Sequence, residues 1–380
     1  MSSDKLFSIL DFGSSKLRLG IFKNYLNNSK FISEIDSLDN FEFKNQNSKQ
    51  KQNLQKLIIK SEKEINQHMN NINLMFDSPK VLFLDFSIKK KMDKIKSKNS
   101  VFKNILQEAK QIIQEKNQNF KILHIIISKY ILDGIEFEDM PDDIIIEEAI
   151  LELKFILAPN IILKNLKELL NENHITINNF YNSTYVKTLN YTSYFENFEI
   201  KIFIDVGYKK TSLALYKNNK LLFLDFLPIG GDHITKDISK VLNKEYNVSE
   251  ILKKSLIQKE VTFINDEKNH DLLIKIIHAR IEEIIDLCFK NITDLENIKN
   301  KKSILIFTGE GSKILSKNSI YLKEKYNIFD DLNFFEENCE TICNSAYNYE
   351  GSTNFSEVMI IPKKQRKTGL FEKFFYMFSR

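Results

Sequence analysis

Ser8-Ile9-Leu10-Asp11-Phe12-Gly13-Ser14-Ser15 and, in the other half of the chain, Ile202-Phe203-Ile204-Asp205-Val206-Gly207-Tyr208-Lys209-Lys210-Thr211 repeat one design. In each, an apolar run ends in Asp-x-Gly and is followed by a second alternating stretch, residues 16–22 or 211–216. The pattern predicts a β-hairpin with a carboxylate and a glycine at its tip. A tight turn whose N–H groups point inward makes an anion-binding concavity, and Gly13 and Gly207 allow close approach with no Cβ in the way. Ser14 and Ser15 add hydroxyl donors, and Lys16 or Arg18 adds positive charge. Asp11 and Asp205 are poor phosphate ligands but suit Mg²⁺, which keeps several waters and is commonly held by one or two carboxylates. Two such hairpins facing each other would clamp a triphosphate from both sides.

One Asp-x-Gly hairpin is in most cases an ordinary turn. A third signal adds to the pair: the buried-strand run 303–308 ends in Thr308-Gly309-Glu310-Gly311-Ser312 and leads into an apolar-periodic helix start. Strand, Gly-turn and helix bring a backbone close to a flat base or sugar. Glu250 and Lys253 stand one helical turn apart on one face, which by itself reads equally as a surface ion pair.

The order and spacing of the three signals resemble the two phosphate loops and the adenosine loop of the actin-like ATPase superfamily. Within it the chain resembles the bacterial cell-division family FtsA, on Leu227-Pro228-Ile229-Gly230-Gly231-Asp232-His233-Ile234-Thr235-Lys236-Asp237-Ile238, on Ile276-Ile277-His278-Ala279-Arg280, and on a basic, aromatic C-terminus. The resemblance implies an α/β, actin-like (ribonuclease H-like) two-domain ATPase fold with a nucleotide cleft and an FtsA-type extra lobe. It implies ATP and Mg²⁺ held by Asp11, Gly13, Ser14, Ser15, Lys16, Arg18, Asp205, Gly207, Tyr208, Lys209, Thr211, Gly230, Glu250, Lys253, Gly309, Glu310, Gly311 and Ser312, with Asp11 and Asp205 on the metal through water.

The chain departs from the superfamily where Tyr208, Lys209 and Lys210 replace the later glycines of the second loop, and where Glu310 interrupts the adenosine loop. A residue that positions water opposite the γ-phosphate starts a helix near 180–189 in relatives, but Asn179-Phe180-Tyr181-Asn182-Ser183 offers no Glu or Gln. ATP is therefore expected to act as a structural and switching ligand, turned over slowly if at all, and no catalytic residue is assigned.

The expected domains are 1–80 with 160–200 (1A), 81–159 (the inserted lobe 1C), 201–232 with 301–350 (2A), and 233–300 (2B), followed by a linker at 351–367 and an amphipathic helix at 368–380. Helices are expected near 100–116, after Pro141, at 161–171, 179–189, 233–244, 249–257 and 270–290; a helix-like segment through His68 follows the polar stretch 40–55, and strands are expected at 81–86 and 121–128. The resemblance implies that 2B binds the C-terminal peptide of the tubulin-like protein FtsZ, with Lys275 and Arg280 on the basic face, that the chain self-assembles into filaments, and that 1C contacts neighbouring subunits and later division proteins. An acidic peptide on a basic helix face is complementary, although a solvated charged face has the same composition.

Length and composition agree with this picture. A chain of 380 residues suggests two or three domains, and 42% hydrophobic with 28% charged residues suits a globular protein. The net charge of +4 conceals an asymmetry: residues 363–380 carry +5 and the rest about −1. A nucleic-acid binder usually has a basic body, so no nucleic-acid partner is expected. In the tail, Leu370, Phe371, Phe374, Phe375 and Phe378 share one helix face, next to Lys363, Lys364, Arg366 and Lys367. Such a helix lies in an anionic membrane interface, or else docks on the protein's own surface. The implied location is the cytoplasmic face of the inner membrane at the division site. No stretch is long and uncharged enough to span a bilayer, the apolar stretch at the N-terminus is too short for a signal peptide, and Cys288, Cys339 and Cys343 lack zinc-site spacing. Two alternatives share the fold: a pilus-assembly adaptor, which needs no amphipathic terminal helix, and a small-molecule kinase, which needs a catalytic Asp beside an acceptor pocket.

Overall fold

A computed structural model describes residues 6–23, 29–36, 48–96, 99–141, 145–258, 267–290, 292, 301–316 and 319–351. The proposed membrane residues between Lys363 and Phe378 lie outside the described residues.

Both Asp-x-Gly stretches fold as hairpins of one geometry. Strand β1 (Leu6–Phe12) pairs antiparallel with β2 (Lys16–Lys23), Asp11 opposite Arg18. The second hairpin pairs Ile200–Val206 with Thr211–Lys217, Asp205 opposite Ser212. In the first tip the Gly13 N–H donates to the Lys16 carbonyl at 3.1 Å; in the second Gly207 donates to Lys210 at 2.9 Å. The loops are equal in length, so Lys16 and Lys210 are equivalent positions.

Each hairpin seeds a five-stranded sheet. The first adds β3 (Ser29–Asp36), β4 (Asn71–Phe76) and, after β5 to β8 described below, β9 (Thr176–Asn182), in the order β3-β2-β1-β4-β9. The second consists of β10 (Ile200–Val206), β11 (Thr211–Lys217), β12 (Lys220–Leu227), β13 (Ser303–Thr308) and β14 (Asp331–Phe334), in the order β12-β11-β10-β13-β14. In both, the hairpin side is antiparallel and the remaining pairs are parallel. One strand order is thus built twice, as the repeated hairpins imply. All seven residues of β10 are buried, as a strand covered on both faces should be.

Helix α3 (Asn160–Asn171) precedes β9 and α9 (Ser319–Lys325) precedes β14, while α4 (Ser183–Tyr191) and α10 (Cys339–Gly351) lie between the two sheets. Tyr185, Val186 and Tyr191 of α4 and Ile342 and Ala346 of α10 share one apolar core with Phe203, Ala214 and Tyr216 of the second sheet. The outer face of that sheet carries α5 (Gly231–Val241), α6 (Tyr246–Gln258), α7 (Glu267–Lys290) and α8 (Ser312–Ser316), with Ile234, Ile238, Ile277 and Ile281 packed over Ile202, Ile204 and Leu305.

A third, antiparallel sheet is built from β5 (Leu82–Lys96), β6 (Phe120–Leu132), β7 (Ile135–Phe137) and β8 (Ile145–Pro159), in the order β5-β8-β6-β7. Helix α2 (Asn99–Lys116) buries Phe102, Ile105, Leu106 and Ala109 against it. Here the structure corrects the sequence reading: the acidic-apolar stretch after Pro141 is not a helix but β8, a central strand. Ala149, Leu151 and Leu153 fall at a two-residue period into the core, and pairing on both sides overrides the helix propensity of Glu and Leu. A second correction concerns 179–189. Residues 176–182 pair in parallel with β4, and helix α4 begins only at Ser183, where the Asn182 side chain accepts the Tyr185 N–H at 2.8 Å. Strand β4 is not among the expected elements, and the helix α1 (Ser48–Ile65) starts within the polar stretch 40–55, earlier than the helix-like segment expected after it.

Candidate functional site

The two hairpin tips meet between the sheets: the Lys209 N–H donates to Ser14 Oγ at 3.4 Å. Both Asp-x-Gly carboxylates are buried there, and each faces a cation. Asp11 Oδ2 accepts from Arg18 Nη1 at 2.9 Å and Oδ1 from Ser183 Oγ at 3.0 Å. Asp205 Oδ2 lies 2.6 Å from Lys187 Nζ, which also stands 3.0 Å from Glu337 Oε1. Glu337 Oε2 accepts the Gly309 N–H at 3.1 Å. Burial works against the charge on Lys187, yet Asp205 and Glu337 hold its ammonium well above the ordinary value. Burial likewise opposes the Arg18 charge and is overridden by Asp11, so Arg18 is raised. The Glu337 carboxyl is pushed up by burial, with Lys187 opposing.

Two further lysines cross between the lobes. Lys210 Nζ, on the second hairpin, lies 2.6 Å from Asp77 Oδ2, one residue past β4 of the first sheet. The Asp77 carboxylate also accepts from Asn182 Nδ2 at 2.8 Å, from the Thr184 N–H at 3.0 Å and from Thr184 Oγ1 at 2.9 Å. Burial would raise its carboxyl, but Lys210 overrides this and the value falls below the ordinary one. Lys16, at the equivalent position of the first hairpin, pairs with Glu34 at 2.8 Å and reaches Glu310 beyond β13 at 3.7 Å. Glu310 also pairs with Lys313 at 3.1 Å. Thr184 Oγ1, whose proton goes to Asp77, meets Ser212 Oγ at 2.8 Å, and Thr188 Oγ1 meets the Tyr216 hydroxyl at 2.9 Å, so α4 is stitched to both sheets. Its N-terminus is fixed by His124 of β6, whose Nε2 accepts the Asn182 N–H at 2.9 Å.

On the third turn, Gly309 has φ +84°, and a Cβ there would collide with Asp205 Oδ1. A Cβ at Gly311 would sit 2.7 Å from the Val206 carbonyl, to which Gly311 donates at 2.9 Å. Ser312 Oγ turns back to the Gly309 carbonyl at 2.7 Å. Gly230 packs on the second loop so closely that its Cβ would lie 2.5 Å from the Gly207 carbonyl, and Thr211 Oγ1 donates to the Ile229 carbonyl at 2.8 Å. The Tyr208 hydroxyl bonds to that of Tyr246, and Lys209 pairs with Asp232 at 2.9 Å. Glu250 and Lys253 pair with each other at 2.6 Å, and Lys253 also donates to the Gly231 carbonyl at 2.9 Å. Burial lowers the Lys253 value.

The chain thus brings together the expected loop residues, and Glu250 and Lys253 lie beside them, tied to the Gly230-Gly231 turn. The residues that sequence reasoning missed are Asp77, Ser183, Thr184, Lys187 and Glu337. Asp77 closes an apolar run much as Asp11 does, which is a usable signal. Lys187 and Glu337 carry none, because their role comes from the packing of α4 and α10 between the sheets.

Comparisons of the sequence with known proteins find partial matches to one family. A family model described as Cell division protein FtsA matches residues 202–311, from the second hairpin to the third turn. The Cell division protein FtsA of Streptococcus pneumoniae serotype 2 is 29% identical over 190 residues, 48% of this chain and 40% of that protein. That of Bacillus subtilis is 32% identical over 99 residues, 22% of each chain. The chain is FtsA-like. The matched part spans well under half the length of these relatives. Among solved structures, the PilM-PilN type IV pilus biogenesis complex aligns with a TM-score of 0.60 at 12% identity, covering 90% of both chains, a likeness of fold.

Mg²⁺ takes oxygen ligands at about 2.0–2.1 Å in a near-octahedral shell and needs negative charge to hold it. In this cleft the carboxylates that could supply that charge are already paired with protein cations. Both oxygens of Asp11 accept from protein donors, Asp205 faces Lys187, and among the described residues no group of three His, Cys, Asp or Glu side chains is placed to hold a metal. In the structure described, the carboxylates of Asp11 and Asp205 each face a protein cation, Arg18 and Lys187. The contact of Ser14 with Lys209 brings the tips of the two hairpin loops together.

The two basic residues expected on the outer helix face differ in their surroundings. Arg280 donates to both oxygens of Asp237, at 2.6 and 3.0 Å, and to Glu283 at 2.5 Å, so its charge is locally compensated. Lys275 is exposed. His278 stacks on Tyr321, ring centroids 5.6 Å apart. Among the described residues no helix is long and apolar enough to cross a membrane.

Proposed function

We propose that the chain is a membrane tether and scaffold of cell division: it assembles head to tail, takes the C-terminal peptide of FtsZ on the 2B region, and is held to the cytoplasmic face of the inner membrane by residues 363–380. The match of the FtsA family model to residues 202–311 carries the reading. It is supported by the duplicated actin-like sheets and by the basic and aromatic tail. One interfacial helix binds lipid reversibly, and assembly raises avidity by presenting many. Of the two basic residues expected to meet the peptide, exposed Lys275 is the better placed, because Arg280 is committed to Asp237. ATP, implied by the loop motifs, enters this reading as a ligand of an opened cleft only, and no chemical step is derived from it.

The test is co-sedimentation of the full-length and 1–362 chains with anionic liposomes, together with binding of an FtsZ C-terminal peptide. Lipid binding by the full-length chain alone, with peptide binding weakened by Lys275→Glu, supports the reading. Equal lipid behaviour of both chains, with no peptide binding, sinks it. The likeness of fold to the PilM-PilN complex favours a second reading, an adaptor that binds a short peptide from a membrane partner. That reading predicts lipid behaviour independent of residues 363–380.

A further inference from the structure

The cleft between the sheets holds three carboxylates of the two lobes within reach of one ammonium or guanidinium group each, and a fourth at the base of α10. Lys187 Nζ bridges Asp205 at 2.6 Å and Glu337 at 3.0 Å. Arg18 covers Asp11 at 2.9 Å. Lys210 runs from the second hairpin to Asp77 of the first lobe at 2.6 Å, and Lys16 runs the opposite way, to Glu310 at 3.7 Å. Because Lys16 and Lys210 are equivalent in the duplicated hairpin, the two crossings are related by the internal duplication.

We propose that this chain latches its own cleft: Lys187 stands where a divalent cation would bridge the lobes, the crossed lysines close the rim, and the closed form is independent of divalent metal. The inference does not rest on the tether reading; it concerns the cleft alone.

Three observations carry it. First, charge: Asp11, Asp77 and Asp205 each have a cation of their own, Arg18, Lys210 and Lys187, and Glu337 shares Lys187, so the four acids carry at most one uncompensated charge to draw in a doubly charged ion. Second, reach: Lys187 extends from α4, which is held to the first lobe through Asp77 and to the second through Ser212 and Tyr216, so its ammonium links rigid elements of both. Third, room: Gly309 and Gly311 let the third turn sit directly on Asp205 and Val206, and the Lys209 N–H reaches Ser14 Oγ at 3.4 Å, so the tips of the two loops touch. A metal at Asp205 would have to displace the Lys187 ammonium, and the two cations repel at that separation.

The test uses the full-length chain stripped with EDTA and titrated with Mn²⁺, free Mn²⁺ being read by electron paramagnetic resonance, alongside Tm in EDTA and in millimolar MgCl2. The wild type is expected to bind no more Mn²⁺ than Asp205→Asn and to melt at the same temperature in both media. Lys187→Met, which leaves Asp205 and Glu337 without their cation, is expected to gain Mn²⁺ affinity by about tenfold or more, a gain abolished by adding Asp205→Asn. A wild-type chain that binds one Mn²⁺ which Asp205→Asn removes overturns the proposal, as does a folded Lys187→Met chain with no gain. If Lys187→Met does not fold, the comparison of wild type with Asp205→Asn still decides.

Discussion

Single residues in the cleft are under two kinds of constraint, charge and volume. Asp77 is buried and held below its ordinary value, 3.8, by Lys210. A group whose folded value is depressed contributes stability above its unfolded value and loses it as pH falls through the folded one. Asp77→Asn is therefore expected to cost about 3 kcal/mol at neutral pH, as removal of one partner of a buried pair does. That difference from wild type shrinks below about pH 4, which urea melts across pH would show. Gly230 is a matter of volume. Its φ of −162° suits any residue, but a Cβ would press on the Gly207 and Tyr208 carbonyls and the Lys210 nitrogen. Gly230→Ala is expected to cost about 1–3 kcal/mol, the range of overpacking in a filled site, measured by thermal melting.

At the scale of elements, β8 and α4 matter most, and both depart from what local pattern suggests. Strand β8 is central to the third sheet, with Leu153 between Phe86 and Ile127. Leu153→Pro removes a ladder donor from a position paired on both sides, which proline tolerates only at edges. Hydrogen exchange should show β5, β6 and β8 losing protection while β10 and β13 keep theirs. Helix α4 is short but connects the sheets through Thr184, Lys187 and Thr188. Helix α7 offers a contrast: Arg280 and Asp237 form a two-bond pair on the surface. Arg280→Ala should cost only about 1 kcal/mol and leave the melting transition cooperative.

For the whole molecule, one core runs from the first sheet through α4 and α10 to Phe203 and Tyr216 of the second. The two actin-like lobes are therefore expected to unfold together. The crossed pair of Lys210 and Asp77 joins them at the rim. A double-mutant cycle on Asp77→Asn and Lys210→Met should show a coupling of about 1–3 kcal/mol, as for residues in one buried network, and a coupling near zero would mean the pair does not hold the lobes together.

The sequence by itself determined the duplicated hairpins, their glycines and the strand-turn-helix at 303–316, because these depend on local alternation and on turn chemistry that needs no partner. It also carried the likeness to FtsA, which lies in contiguous residues. What only the tertiary structure decided is the state of the cleft. Asp11, Asp77, Asp205 and Glu337 come from four separated segments, and their cations from the two hairpins and α4. Nothing local marks Lys187 as the group between Asp205 and Glu337, since a lysine on a short helix reads as solvent-facing until the sheets close around it. For the same reason β8 read as a helix: its neighbours on both sides, not its own residues, supply the hydrogen bonds that make it a strand.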